Sequence, residues 1–172
     1  MYSLVSDNIV FAQVDAIVNA ANPSLLGGGG VDGAIHKAAG PVLLEACRHL
    51  PEITKGVRCP FGEARITPAG CLSARYVIHS VGPIYSQSRN PSSVLASAYQ
   101  SSLALAVEYQ CQSLAFPAIS CGVYGYPWEE AASIAFDQCE KPQYQSLDIC
   151  FYLLDMALFD CWSAVYRERN LS

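Results

Sequence analysis

Asn22, Asp32 and His36 are three side chains near the amino terminus that could act on one ligand. An amide donates and accepts at once and so suits a sugar hydroxyl. A carboxylate can orient a water or accept a hydroxyl proton, and an imidazole can orient a substrate group or the carboxylate. Asp32 and His36 are four residues apart, which places both on one face of a helix. Plainer readings stand beside these. Asn22 precedes Pro23 and can simply shape a turn. Asp32 can complement a helix dipole, and His36 can be a packing residue.

Between Asn22 and Asp32 run four consecutive glycines, Gly27, Gly28, Gly29 and Gly30. Without Cβ atoms the backbone N–H groups can approach a ligand closely, and φ can turn positive. A helix beginning at Val31 would aim its unpaired donors and its dipole at the loop, which favours an anion such as a diphosphate. No Lys-Ser/Thr follows the glycines, and the spacing is not Gly-x-Gly-x-x-Gly, so neither a P-loop nor a dinucleotide fingerprint is present.

Ser120-Cys121-Gly122-Val123-Tyr124-Gly125 forms a second glycine-bearing loop. Its N–H groups could cradle phosphate, and Tyr124 offers a ring or a hydroxyl to a sugar. Cys121 lacks an evident activating base in the sequence and is read as a backbone contributor.

Both loops need elements to hold them. Tyr2 to Val5, Val14 to Val18, Glu63 to Thr67, Arg75 to Val81, Ser113 to Ile119 and Leu147 to Leu154 read as strands. Helices are expected over Val31 to Ala39, Val42 to Leu50 and Pro91 to Tyr109, from Tyr126-Pro127 onward, and around Leu158, Trp162 and Val165. On the helix opening at Pro91, Leu95, Ala98, Leu105 and Tyr109 form the expected apolar face. The alternation predicts α/β layering with a mixed, mainly parallel sheet, whose ligands bind at the carboxyl ends of the strands. The two loops should therefore share one sheet edge.

The chain has 172 residues, 52% of them hydrophobic and 15% charged, which suits one folded domain and excludes a disordered tail. No apolar run approaches the roughly 20 residues that span a bilayer, and no signal peptide is recognisable at the amino terminus. A cytoplasmic protein is expected. The net charge of −5 disfavours an extended nucleic-acid surface and leaves a bound phosphate to backbone donors. Eight cysteines occur without a Cys-x-x-Cys pair, which reads as free thiols in a reducing compartment.

The segments Val14 to Asn22, Leu25 to Gly40, Gly62 to Thr67, Tyr76 to Pro83 and Phe116 to Pro127 resemble the macrodomain family, specifically its MacroD-type branch. The resemblance implies a three-layer α/β/α sandwich over residues 1–172 that binds ADP-ribose. It further implies hydrolysis of ester-linked mono-ADP-ribose on acidic protein side chains, or of O-acetyl-ADP-ribose, without metal or cofactor; a monomer is expected. Asn22, Asp32 and His36 fall on the positions tied to the distal ribose and turnover. Gly27, Gly28, Gly29, Gly30 and Val31, together with Ser120, Cys121, Gly122, Val123, Tyr124 and Gly125, fall on the diphosphate loops. Asn8, Ile9 and Ala20 complete the implied ADP-ribose contacts. The family usually carries Asp where Asn8 stands, as acceptor of the adenine amino group; a shifted register would give that role to Asp7. Two alternatives share this site: a non-catalytic ADP-ribose reader, and a hydrolase of ADP-ribosylated nucleic acid.

Overall fold

The computed structural model describes residues 1–171. Six strands make one sheet: β1 (Tyr2–Val5), β2 (Ala16–Ala20), β3 (Ala64–Pro68), β4 (Tyr76–Ser80), β5 (Ser113–Phe116) and β6 (Asp148–Tyr152). Their spatial order is β1-β6-β5-β2-β4-β3, and every neighbouring pair is parallel except β3 with β4. The helices are α1 (Gly30–Ala39), α2 (Pro41–Arg48), α3 (Pro91–Glu108), α4 (Trp128–Cys139) and α5 (Met156–Asn170). No helix among the described residues is long and apolar enough to cross a membrane.

The alternating faces of the strands explain the layers. On β2, Ile17 packs with Ile35 of α1 and Leu43 of α2, joined by Val77 of β4. Its neighbour Val18 faces the opposite way, into a core with Leu95 of α3, Phe136 of α4 and Trp162 of α5. Both faces of the sheet are thus covered, as a mainly parallel sheet requires, and the expected α/β/α sandwich is what the chain forms.

Three local expectations need correction. The second strand begins at Ala16 rather than Val14; Asp15 stands at its entry, its carbonyl accepting from the Tyr76 N–H at 3.1 Å and its Oδ2 from the N–H groups of Gln112 and Ser113 at 2.7 and 3.2 Å. The strand runs on to Ala20, so Asn19 lies within it, fully buried. The fifth strand stops at Phe116 rather than Ile119, since Pro117 has no N–H for the ladder. On α3 the buried face is Leu95, Ala98, Tyr99, Ser102, Leu103 and Ala106. Leu105 is only partly buried and Tyr109 is exposed. Ser102 is tolerated inside because its hydroxyl donates to the Ala98 carbonyl at 2.8 Å.

The topology creates the ligand position. After β2 the chain leaves for β3, on the β4 side, and after β5 it leaves for β6, on the opposite side of the adjacent β2–β5 pair. A crevice therefore opens at the carboxyl ends of these two strands, and the two glycine loops follow them directly. Gly33 seats the first loop on α1: its N–H donates to the Gly29 carbonyl at 3.2 Å, and a Cβ there would lie 2.6 Å from the Gly28 carbonyl oxygen. Gly33→Ala should lower stability by about 1–3 kcal/mol in denaturant unfolding. Gly29→Ala, where a Cβ meets nothing within 4 Å, should cost far less.

Candidate functional site

Two cavities meet at the crevice. One, of about 400 Å³, is bounded by Ala20, Asn22, Asp32, Gly82, Ser120 and Tyr124 among others. The second, of about 580 Å³, is bounded by Asp7, Asn8, Ile9, Cys121, Trp128 and Tyr152 among others. Gly30, Val31, Ala118 and Gly122 line both, so the cavities form one elongated cleft with the glycine loops at its waist. No Lys or Arg lines either half among the described residues.

An anion at the waist must then be held by the backbone. Gly30, Val31 and Asp32 form the first turn of α1, where N–H groups have no intrahelical acceptor. In the second loop, Gly122, Val123 and Tyr124 donate to no protein acceptor among the described residues. The loop is nonetheless firmly built. Ser120 adopts a left-handed φ of 66°, and its hydroxyl donates to the Pro83 carbonyl at 2.7 Å. Trp128 Nε1 donates to the Cys121 carbonyl at 3.0 Å, and the Gly125 N–H closes a turn onto the Gly122 carbonyl at 3.0 Å. Strain at Ser120 in a site this constrained is the kind that functional loops store. Burial pushes the Cys121 thiol up to about 12, so it stays protonated and cannot act as a thiolate nucleophile.

At the far end of the first cavity Asp32 is buried, 6% exposed. Its Oδ1 accepts from Asn19 Nδ2 at 2.8 Å and lies 3.4 Å from His36 Nε2. Its Oδ2 is turned toward Gly28, 3.2 Å from where a Cβ would stand, with Asn22 Nδ2 3.5 Å from the same point. The missing side chain at Gly28 thus keeps a gap open between the carboxylate and the amide. Asn22 Nδ2 donates to the Gly27 carbonyl at 3.0 Å and its Oδ1 accepts from Ser24, so the turn and the cleft share this residue. Burial raises the Asp32 carboxyl above the usual carboxylate range, opposed by the Asn19 hydrogen bond and by His36. Tyr124 is raised by burial and by the Asp32 charge, which keeps its hydroxyl neutral.

Asn22 and Asp32, with Gly28, Gly29, Gly30, Val31, Ala20, Ser120, Gly122, Val123 and Tyr124, line the first cavity. Asn8, Ile9 and Cys121 line the second. Gly27 and His36 stand behind the glycine loop, against a shallow surface hollow that also includes Lys37. Gly125 shapes its turn with φ 71° and lines neither cavity. Asn8 caps a short 3-10 turn over Ile9–Phe11, its Oδ1 accepting from the Val10 N–H at 3.1 Å. Asp7 sits beside it on the same cavity, with one oxygen accepting from the Asn8 N–H at 2.7 Å.

Sequence reasoning missed the residues beneath Asp32. Asn19, His79 and Thr67 are buried polar side chains on three adjacent strands. Only Asn19 left a signal, as the one polar residue in the apolar strand Ala16–Ala20. His36, Cys47 and His79 also bring potential metal-ligating atoms within 4.8 Å of one another. Both nitrogens of His79 are occupied, however. Nδ1 is 3.3 Å from the Asn19 amide nitrogen and Nε2 is 2.9 Å from Thr67 Oγ1. With no lone pair to spare on that ring, the cluster is packing and not a metal centre.

Residues 18–135 match the family model described as the Macro domain. A macro domain-containing protein of Vibrio parahaemolyticus is 60% identical over 97% of this chain and 98% of its own length. One from Caldanaerobacter subterraneus is 49% identical over 97% and 96%. Among solved structures, the Oceanobacillus iheyensis macrodomain with ADP superposes with a TM-score of 0.91 at 38% identity, covering 97% of this chain and 90% of that one. The Trypanosoma brucei macrodomain in complex with ADP-ribose gives 0.84 at 38%, covering 96% and 68%.

The raised Asp32 carboxyl has a consequence for stability. The folded protein binds its proton more tightly than the unfolded chain, so this contribution is complete below the unfolded-state value and is lost as pH rises through the folded one. At neutral pH the buried charge is a cost. Asp32→Asn keeps an acceptor for Asn19 and removes that cost. Its Tm at pH 7 should equal or exceed wild type, at about 2–4 °C per kcal/mol relieved, with the gap closing toward pH 4. A variant Tm several degrees below wild type at pH 7 would contradict this.

Proposed function

Because the chain belongs to the macro domain family, we propose that its cleft binds ADP-ribose and hydrolyses ester-linked mono-ADP-ribose from acidic protein side chains, O-acetyl-ADP-ribose, or both, in the manner of the MacroD-type branch. Residues 1–172 are read as this one domain, which the single sheet with helices on both faces supports over the described residues 1–171. The eight cysteines are all free, which fits the reducing cytoplasm.

The observation that carries the catalytic half of this reading is the asymmetry of Asp32. One carboxylate oxygen is tied inside the protein while the other borders the gap beside Gly28 and Asn22. A ligand diphosphate held by the amides of Gly30 to Asp32 and Gly122 to Tyr124 would bring the distal ribose to that gap. A water there gives its proton to Asp32 Oδ2 while its oxygen bonds to the ester carbonyl carbon. The ester C–O bond to the ribose breaks and Asp32 returns the proton to the departing ribose oxygen, leaving free ADP-ribose, the carboxylic acid and a regenerated carboxylate. A desolvated carboxylate with a raised pKa is a better base than an exposed one. Asn22 orients the ribose, and preorganised N–H donors supply the electrostatic part. His36, 3.4 Å behind Asp32, is assigned a supporting role in this scheme.

Incubation with a protein carrying ester-linked mono-ADP-ribose, and separately with O-acetyl-ADP-ribose, should release free ADP-ribose. Asp32→Asn should slow release by about 10²- to 10⁴-fold, the usual worth of a general base, while still binding ADP-ribose. Tight binding by the wild type with no release from either substrate would leave a reader and not an enzyme. At the adenine end, Asn8→Asp preserves the cap, since both residues serve there, and adds a charged acceptor. Calorimetry should show ADP-ribose binding about fivefold tighter, equivalent to roughly 1 kcal/mol; an unchanged affinity would remove Asn8 from adenine recognition.

A further inference from the structure

Beneath the cleft, a continuous polar chain crosses three strands to reach α1. Asn19 on β2 and His79 on β4 are registered partners. They lie on the same face of the sheet as Ile17 and Val77, under α1 and α2. Thr67 on β3 shares that face, opposite Val77. Asn19 and His79 are 0% exposed and Thr67 4%, yet this stretch of core could have been apolar. Burying several polar groups is costly unless their orientation matters.

The hydrogen bonds permit one arrangement. Ionised Asp32 is only an acceptor, so Asn19 must present its NH₂ to Asp32 Oδ1 at 2.8 Å. The same nitrogen is 3.3 Å from His79 Nδ1, which must therefore accept the second amide hydrogen. The ring proton is then on Nε2 and is donated to Thr67 Oγ1 at 2.9 Å, with the weaker acceptor Cys47 Sγ farther off at 3.6 Å from the same nitrogen. Burial holds His79 neutral, with its pKa depressed to about 3. Asn19 Oδ1, in turn, is buried with no hydrogen-bond partner among the described residues. An orphaned acceptor is expensive. The amide is thus oriented for what its nitrogen does.

We propose that Thr67, His79 and Asn19 form a positioning relay: Thr67, accepting from Nε2–H, stabilises the His79 tautomer whose Nδ1 accepts from the Asn19 amide, and the amide so held fixes which oxygen of Asp32 faces the cleft. The relay rests on the hydrolase reading. With the opposite tautomer, Nδ1–H would confront the Asn19 NH₂. The amide would have to turn over, setting its oxygen against the carboxylate. Asp32 would then lose the bond that fixes Oδ1, and Oδ2 would no longer be held toward Gly28. The groups facing Asp32 are His36 on its own helix, Cys47 of α2, which burial keeps a thiol, and Tyr124 of the second loop. None of them replaces the amide donor.

Thr67→Val removes the strong acceptor of the Nε2 proton at nearly constant volume, leaving the weak and more distant Cys47 sulfur, and Thr67→Ser keeps it. Thr67→Val should lower kcat for ADP-ribose release by about tenfold to hundredfold, the scale of losing precise placement. KM and ADP-ribose affinity should stay within about twofold of wild type, and the acid limb of kcat should move. Thr67→Ser should restore kcat and its pH profile. Wild-type kinetics in Thr67→Val, or equal losses in both variants, would overturn the relay, the second by making the effect one of packing. Imidazole ¹⁵N spectra of the unmodified protein test it without any substitution: His79 must show a protonated Nε2 and an accepting Nδ1, and the reverse overturns the relay. Failure of the hydrolase reading looks different, since the wild type would then release no ADP-ribose at all, and the relay's catalytic role would fall with it.

Discussion

The bond between Asn19 and Asp32 joins the central strand of the sheet to the first turn of α1. It holds a carboxylate in a place where burial alone would favour the neutral acid. Much of the surrounding architecture follows from keeping that charge. The glycine loop must pass close above it, so Gly28 has no side chain between Asp32 and Asn22, and Gly33 lets the loop lie against the helix. The sheet face below must be polar just there, in a layer that is otherwise Ile17, Val77, Ala115 and Leu43.

A second constraint is charge. An acidic protein with no basic residue along the cleft must bind an anionic ligand through dipoles. The switch point between β2 and β5 provides this, because each strand delivers a loop with unpaired N–H groups to the same edge. Holding phosphate by backbone also keeps Lys and Arg away from Asp32, so burial outweighs the opposing Asn19 hydrogen bond and His36 and its proton affinity is raised.

The layered fold and both loops were legible because strand and helix periods differ and because Gly and Pro mark where they change. The Gly40-Pro41 step, for instance, ends α1 and starts α2, with Gly40 at φ 80°. Details that depend on tertiary partners were not legible. Val14 and Asp15 have strand-like neighbours, yet Asp15 is drawn off to cap the entry of β5. On α3, apolar residues run almost around the helix, so spacing alone could not choose between Leu105 and the pair Tyr99 and Leu103. Asn22 and Asp32 were found in the cleft because motif and fold agree there. The residues beneath Asp32 were not found, since the link from Asn19 to His79 and Thr67 forms only when β2 lies beside β4, a strand more than fifty residues later.

The account turns on one group: an Asp32 carboxylate that is ionised, held from behind and active toward the ribose ester. Carbon-13 spectra of the Asp32 carboxyl as a function of pH, set against the pH dependence of kcat/KM for ADP-ribose release, test that claim most directly. Asp32 should titrate above the ordinary aspartate range, and the acid limb of the rate should coincide with its titration. A rate profile indifferent to the protonation of Asp32, or an Asp32 that titrates like an exposed aspartate, would contradict it.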